Sequence, residues 1–210
     1  MKLHGYFRSS AAFRVRIALN LKGLGAEHIP HHLRKGEQRA PEYVALNPQG
    51  LVPTLVLDNG EHLTQSLAIV EWLNETYPEP PLLPSDPMMR ARVRGFAQII
   101  ACDVHPVQNL RVLERLRSLG HGDETVNEWV RWVVTDGFIA CTKMIADQPG
   151  PFCFGAAPTL ADICLVPQLV NARRFGVDLG KFPRLLEAEA AAMALPAFAD
   201  AAPERQIDAE

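Results

Sequence analysis

Residues 7–19 have the sequence FRSSAAFRVRIAL, which predicts a turn from a strand into a helix. The residues just before the turn are apolar and aromatic, as in a short strand. Phe13 and Ile17 are four residues apart, which places them on one face of a helix. Ser9 and Ser10 stand where a serine hydroxyl accepts from backbone amides of the first helical turn. The stretch therefore predicts a capped helix directly after the first strand.

This turn is compatible with two roles. An ordinary helix cap beside a solvated arginine accounts for Arg8, Ser9 and Ser10. The positive end of the helix dipole also favours an anion at the same place. Arg8 adds a full positive charge there, so a site that stabilises a thiolate or a carboxylate is the second role, although an isolated pair of serines favours the ordinary cap. The stretch alone leaves both roles open.

Composition predicts a soluble globular protein. The chain has 210 residues, of which 48% are hydrophobic and 21% are charged, enough for one large or two small domains. A net charge of −3 argues against a dedicated nucleic-acid partner. No apolar run is long enough for a bilayer and no signal peptide is recognisable, so we expect no membrane partner and a cytoplasmic location.

Cysteine and histidine patterns predict neither disulfides nor a metal site. Cys102, Cys141, Cys153 and Cys164 form no C-x-x-C pair and lie in apolar surroundings. They are expected to be buried thiols in a reducing compartment. No H-E-x-x-H motif is present, and no metal ligand set is predicted.

The rest of residues 1–78 completes a β-α-β unit followed by a β-β-α unit. Residues 26–33 and 51–57 favour strands, and the Asp-Asn-Gly at 58–60 predicts a hairpin turn. Ser66 is expected near the N-terminus of the next helix, which adds a second helix end with free amides. Pro53 belongs at the start or edge of its strand; the bond before it is trans in most proteins, and a cis bond would turn the chain sharply.

Five prolines within residues 78–87 exclude a helix and predict a linker between domains. Everything beyond it has helical periodicity, with a bend expected at Pro106. We therefore predict an α+β, thioredoxin-like domain at 1–78, a proline-rich linker at 79–87 and an all-helical domain at 88–210. Without a C-x-x-C motif the first domain is not expected to be an oxidoreductase.

One helix start in the second domain has a recognisable cap. Thr159 precedes an apolar run, and Asp162 follows three residues later, which is the spacing of a capping box. Asp162 is therefore expected to be structural. A last helix is predicted near residues 182–194, and the tail beyond it is expected to pack loosely.

Several spaced motifs resemble glutathione transferases along the whole chain. They are VPTL at 52–55, QSLAI at 65–69 and TLAD at 159–162. The stretch at 9–19 resembles the zeta-class signature, usually Ser-Ser-Cys-x-x-Arg-Val-Arg-Ile-Ala-Leu. Ala11 departs from it, because that position usually holds the cysteine.

The resemblance implies a glutathione transferase fold, a homodimer, glutathione as cofactor and cis–trans isomerisation of a dicarboxylic diketo acid. Ala11 in place of cysteine resembles the bacterial maleylpyruvate isomerases of the gentisate pathway, a route of aromatic catabolism. Maleylacetoacetate isomerisation or a general zeta-class transferase activity is the second interpretation. A non-catalytic interaction module of the same fold is the third.

The resemblance also implies roles for individual residues. Val52 would pair through its backbone with the cysteinyl part of glutathione, Gln65 and Ser66 would hold the γ-glutamyl carboxylate, and Gln38 the glycine carboxylate. The catalytic residues implied are Ser9, Ser10, Arg8 and Arg174. The glutathione-binding residues implied are Ser9, Ser10, Ala11, Gln38, Val52, Pro53, Gln65, Ser66, Gln108, Asn109 and Asp103 of the partner subunit. The substrate-binding residues implied are Arg8, His105, Arg111 and Arg174. Arg173 is expected to be solvated.

Overall fold

A mixed sheet of four strands organises the N-terminal part of the computed structural model, which describes residues 1–210. The strands are β1 (Lys2–Gly5), β2 (Glu27–Pro30), β3 (Thr54–Val56) and β4 (His62–Thr64), and their order in the sheet is β2-β1-β3-β4. β1 pairs parallel with β2 and antiparallel with β3, and β3 pairs antiparallel with β4. The parallel pair needs a crossover connection, which the first helix supplies.

Three helices accompany this sheet: α1 (Ser10–Leu21), α2 (Pro41–Leu46) and α3 (Ser66–Thr76). Every side chain from Ala12 to Leu19 is buried, so α1 is enclosed and not amphipathic. Two short 3-10 turns, Leu33–Lys35 and Glu37–Arg39, connect β2 with α2.

The remaining helices are α4 (Pro87–Gln98), a π-helical segment (Ile99–Val104), α5 (Leu110–Ser118), α6 (Asp123–Ile145), α7 (Leu160–Arg174), α8 (Pro183–Met193) and α9 (Pro196–Ala199). The sheet-containing first part and the helical remainder confirm the predicted fold class. No helix has the length and apolar character needed to cross a bilayer. The bend expected at Pro106 is instead a break, because proline lacks the amide that continues a helix.

The chain forms two compact units, residues 1–81 together with 193–210, and residues 82–192. The sequence predicts a helical domain that extends to residue 210 and ends in a loosely packed tail. The tail instead packs on the first unit: Phe198 is fully buried, and Asn20 Nδ2 donates to the carbonyl of Ala197 over 3.0 Å. This packing buries apolar surface that the loose arrangement would leave in water.

The proline-rich segment contains buried residues as well as exposed ones. Leu82 and Leu83 are buried, and the carbonyl of Leu82 accepts from the amide of Leu160 over 2.8 Å. The segment is therefore anchored within the second unit from Leu82 onward.

Candidate active site

Ser9 is the N-cap of α1, as the sequence predicts. Its Oγ accepts from the amide of Ala12 over 3.2 Å, and its carbonyl accepts from the amide of Phe13 over 2.9 Å. A hydroxyl that accepts one bond still has its own hydrogen to donate. Ser9 is half-buried, whereas Ser10 is buried inside the unit. The hydroxyl of Ser9 is therefore the more accessible donor of the two.

Arg8 places a positive charge beside this helix start. Its guanidinium carbon lies 5.9 Å from the centre of the Phe7 ring, and its side chain is half-buried. The charge adds to the positive end of the α1 dipole, so this corner of the unit favours an anion.

The loop before β3 is held by two polar side chains. Tyr43 donates through its hydroxyl to the carbonyl of Leu51 over 2.6 Å, and Asn47 Nδ2 donates to the same carbonyl over 2.7 Å. The Val52–Pro53 bond that follows is cis. The loop that carries Val52 is thus fixed from the inside of the unit.

Gln65, at the start of α3, has an unusual backbone conformation. Its φ of +67° is the one positive φ among the non-glycine residues. Strained backbone conformations of this kind cost about 1–3 kcal/mol each and cluster at functional sites. Gln65 itself is the N-cap, without a side-chain cap bond, and its Nε2 donates to Gln49 Oε1 over 2.8 Å. Ser66 is therefore the first helical residue and not the cap.

Arg14 is a site residue that the sequence reasoning missed. It is 2% exposed, and its Nη1 donates to the hydroxyl of Ser66 over 3.2 Å. A buried positive charge thus stands behind the N-terminus of α3 and adds to its dipole. The available signal was the position of Arg14 between Phe13 and Val15, inside a run with no polar face.

Gln38 is buried at 6% exposure, and its Oε1 has no hydrogen-bond partner within the chain. Buried polar atoms in native proteins almost always have a partner, so this oxygen is suited to a donor from a ligand. Gly50, with a φ of +60°, packs close by: a Cβ there would stand 3.2 Å from the carbonyl of Gln38. The hydrogen bond from Gln65 to Gln49 places the start of α3 next to the loop that carries Val52. The close approach of Gly50 to Gln38 places Gln38 next to the same loop.

The other predicted residues lie in the second unit. Asp103 is exposed in the π-helical segment, and Gln108 is buried. Asn109 caps α5 by accepting from the amide of Arg111, and its Nδ2 lies 3.5 Å from His105 Nε2. The side chain of Asn109 is thus engaged in structure.

Two adjacent arginines, Arg173 and Arg174, lie at the end of α7. Arg174 is its last residue and is exposed. Arg173 is exposed, as predicted, and it forms an ion pair with Glu189 of α8. The buried Glu189 carboxylate needs a positive partner, which explains the pairing.

Comparison with known proteins agrees with this geometry. The N-terminal domain of glutathione S-transferases matches residues 8–76. A maleylacetoacetate isomerase of Pseudomonas aeruginosa is 50% identical over 210 residues, 99% of this chain and 98% of that protein. A holo structure of a maleylpyruvate isomerase, a bacterial zeta-class glutathione S-transferase, has a TM-score of 0.97 at 46% identity and covers 100% of both chains. This chain belongs to the zeta class of glutathione S-transferases.

A further zeta-class relative has been solved with ligands. It is a maleylacetoacetate isomerase of Methylobacterium extorquens AM1 with bound malonate and glutathione, with a TM-score of 0.96 at 41% identity over 100% of both chains. The zeta-class resemblance carried by residues 9–19 is thereby confirmed, although Ala11 replaces the signature cysteine.

The first unit of this zeta-class chain fits glutathione. The tripeptide carries two carboxylates and one thiol. The start of α3, with Arg14 behind Ser66, suits one carboxylate, and the start of α1 suits a thiolate. The unpartnered oxygen of Gln38 offers an acceptor to a peptide amide or an ammonium group. It does not suit a carboxylate, so the glycine carboxylate predicted there would need the amide nitrogen of the same side chain.

Proposed function

We propose that this protein is a glutathione-dependent cis–trans isomerase that converts maleylpyruvate to fumarylpyruvate. One observation carries the need for glutathione: the first unit contains no cysteine, since the four cysteines lie between residues 102 and 164. Bound glutathione supplies a thiolate that adds reversibly to the double bond, which allows rotation before the thiolate leaves. The residues of the chain bind glutathione, ionise its thiol and orient the thiolate towards the substrate.

The start of α1 performs the ionisation. A free thiol has a pKa of about 8.5, so a thiolate at neutral pH requires stabilisation. The Ser9 hydroxyl donates to the sulfur while its oxygen stays bonded to the Ala12 amide. Ser10 and Ala11 contribute as the first turn of the helix, whose dipole favours negative charge.

The other segments of the first unit hold the tripeptide backbone. The amides at the start of α3, with the Ser66 hydroxyl oriented by Arg14, bind the γ-glutamyl carboxylate. Gln65 contacts the same end through its exposed side chain. Val52 pairs through its backbone, beside Pro53, and Gln38 binds the glycine end. In the homodimer that we propose, Asp103 of the partner subunit accepts from the γ-glutamyl amine.

The substrate is a dianion, and its developing enolate adds further negative charge. Arg8 and Arg174 supply the positive charge that stabilises both, with Arg111 and His105 as weaker contributors. Gln108 and Asn109 provide polar contacts to glutathione or to the substrate. Arg173 is excluded, because Glu189 already neutralises its guanidinium.

Two substrates have support. Ala11 in place of cysteine favours maleylpyruvate, which would place the protein in a cytoplasmic gentisate pathway. The Pseudomonas aeruginosa relative at 50% identity favours maleylacetoacetate as the second candidate. The two substrates differ at the end remote from the double bond, so the chemistry of the turn is the same for both.

An absorbance assay of double-bond isomerisation tests the proposal. Purified protein is given maleylpyruvate or maleylacetoacetate, each with and without added glutathione. We expect turnover only with glutathione and a higher kcat/KM for maleylpyruvate. Retention on glutathione-agarose without isomerisation of either diacid would indicate a binding module and refute the enzyme. A higher kcat/KM for maleylacetoacetate would select the second substrate.

A further inference from the structure

The C-terminal tail returns to the turn that precedes α1. The carboxylate of Asp208 accepts a hydrogen bond from the backbone amide of Phe7, with an N···O distance of 2.9 Å. Phe7 lies two residues before Ser9 and directly before Arg8. Asp208 stands 201 residues later in the chain, yet both residues belong to the same compact unit.

Arg16 holds the same piece of backbone from the side of α1. Its guanidinium donates to the carbonyl of Phe7 over 3.1 Å, with a longer bond to the carbonyl of Tyr6. Its Nε donates to the carbonyl of Ala201 in the tail over 2.9 Å. Arg16 therefore connects the turn and the tail.

Asp208 also balances the charge of Arg16. Burial lowers the pKa of Arg16 to about 10, and the neighbouring Asp208 carboxylate opposes this shift. A charged donor and a charged acceptor thus hold successive groups of one segment, the Phe7 amide and the Phe7 carbonyl. Hydrogen bonds to charged groups are the stronger kind, so this segment has little freedom to move.

The position of this segment determines where Arg8 and Ser9 point. The amide of Ser9 donates back to the carbonyl of Tyr6 over 2.9 Å, which closes the turn on the peptide that Arg16 and Asp208 hold. A displacement of about 1 Å at a catalytic group can lower a rate by roughly a hundredfold.

We propose that Asp208 is a positioning residue, which acts together with Arg16 on the Phe7 peptide to aim the Ser9 hydroxyl at the glutathione sulfur and Arg8 at the substrate. The inference rests on the proposed function, because that function assigns Arg8 and Ser9 their roles. The hydrogen bond itself can be tested without any ligand.

Hydrogen exchange of the Phe7 amide, followed by NMR on the full-length protein, tests the contact. In the wild type this amide should exchange slowly, although its acceptor is a side chain. Asp208→Ala should accelerate its exchange by on the order of tenfold or more, as expected for the loss of a bond to a charged group. Glu204→Gln is the matched control, since Glu204 is an exposed acid on the same tail. Fast exchange in the wild type, or unchanged exchange in Asp208→Ala, would overturn the proposal.

Kinetics and thiolate titration then test positioning. Asp208→Ala should lower kcat/KM about tenfold and shift thiolate formation on bound glutathione, followed by ultraviolet absorbance, to higher pH. Asp208→Asn keeps an acceptor for Phe7 and should recover part of the loss. If the Phe7 amide is freed while titration and kcat/KM match the wild type, Asp208 is only structural and the proposal fails.

Failure of the proposed function gives a different result. If the wild type neither binds glutathione nor isomerises either diacid, the function is wrong, while the exchange of the Phe7 amide still reports on the contact. If Asp208→Ala does not fold, Asp208→Asn replaces it. Its neutral acceptor binds more weakly than the carboxylate, so the Phe7 amide should exchange faster than in the wild type, and unchanged exchange would overturn the proposal.

Discussion

Ser9 combines two tasks at one position, because its hydroxyl oxygen caps α1 and its hydrogen is available to a ligand. Ser10, one residue later, is turned into the unit and buried. The sequence shows two adjacent serines and cannot distinguish them, since the difference depends on where the helix begins. The two variants Ser9→Ala and Ser10→Ala therefore separate donation to the sulfur from simple packing.

Ser9→Ala should lower kcat/KM by on the order of a hundredfold, as for removal of one donor to a developing negative charge. The lost cap should reduce the free energy of unfolding by about 1 kcal/mol. Steady-state kinetics, thiolate titration and urea unfolding measure the three effects. If Ser9→Ala keeps the full rate and Ser10→Ala loses it, the roles are reversed.

Arg174→Ala should mainly raise KM for the diacid, since a carboxylate contact is lost in the ground state as well as in the transition state. Arg173→Ala is the neighbouring comparison, and it should instead destabilise the protein because Glu189 then remains buried without a partner. An unchanged KM in Arg174→Ala would remove this arginine from the substrate site.

A single side chain, that of Asp162, stabilises the start of the helix α7. The Oδ2 of Asp162 accepts from the amide and the hydroxyl of Thr159, and its Oδ1 accepts from the amide of Cys153 over 2.8 Å. This confirms the predicted capping box. Asp162 is fully buried, so each of these donors would lose its partner without gaining water.

Asp162→Ala should therefore lower the free energy of unfolding by about 3 kcal/mol, which combines a lost cap with unsatisfied buried amides. Asp86→Ala is the matched control: Asp86 caps α4 by accepting from the Met89 amide, but it is exposed and should cost about 1 kcal/mol. Urea unfolding measures both. An equal loss in the free energy of unfolding for both variants would mean that the burial of Asp162 does not strengthen the cap of α7.

His4 of β1 and His31, directly after β2, form a pair of histidines that links stability to pH. His4 Nδ1 and His31 Nε2 lie 2.8 Å apart. Burial lowers the pKa of both side chains from 6.5, and for His4 the neighbouring His31 lowers it further. The folded state therefore prefers the neutral form, and this stabilisation is present above about pH 6.5 and lost as the pH falls.

The free energy of unfolding should accordingly decrease as the pH falls below about 6.5. His31→Gln should weaken this decrease, whereas His62→Gln, at an exposed position of β4, should leave it unchanged. Urea unfolding across the pH range provides the measurement. Identical pH dependence in His31→Gln and the wild type would exclude the pair as its source.

The spacing of apolar residues, together with capping and turn residues, predicted the order of strands and helices along the whole molecule. It also predicted the two helix starts at the site. It did not predict contacts between distant residues. The bond from Phe7 to Asp208 and the burial of Arg14 depend on tertiary packing, which leaves no periodic signal. The positive φ of Gln65 likewise has no cue in composition, because glutamine does not ordinarily favour it.

The distribution of thiols gives the last prediction. Burial raises the pKa of Cys141 to about 12 and that of Cys153 well above its ordinary value, so neither is a nucleophile at neutral pH. Cys102 is the exposed thiol of the chain, and it lies in the second unit. No thiol of the polypeptide stands at the start of α1, and the reaction should depend entirely on glutathione.

Protein treated with iodoacetamide and freed of the reagent should be inactive without glutathione and regain the rate of untreated protein when glutathione is added. Cys102→Ser, which cannot be alkylated at that position, should behave in the same way. Measurement of isomerisation before and after alkylation distinguishes the outcomes. Activity that persists without glutathione, or that alkylation destroys in the wild type but not in Cys102→Ser, would place the nucleophile on the chain and contradict the proposed chemistry.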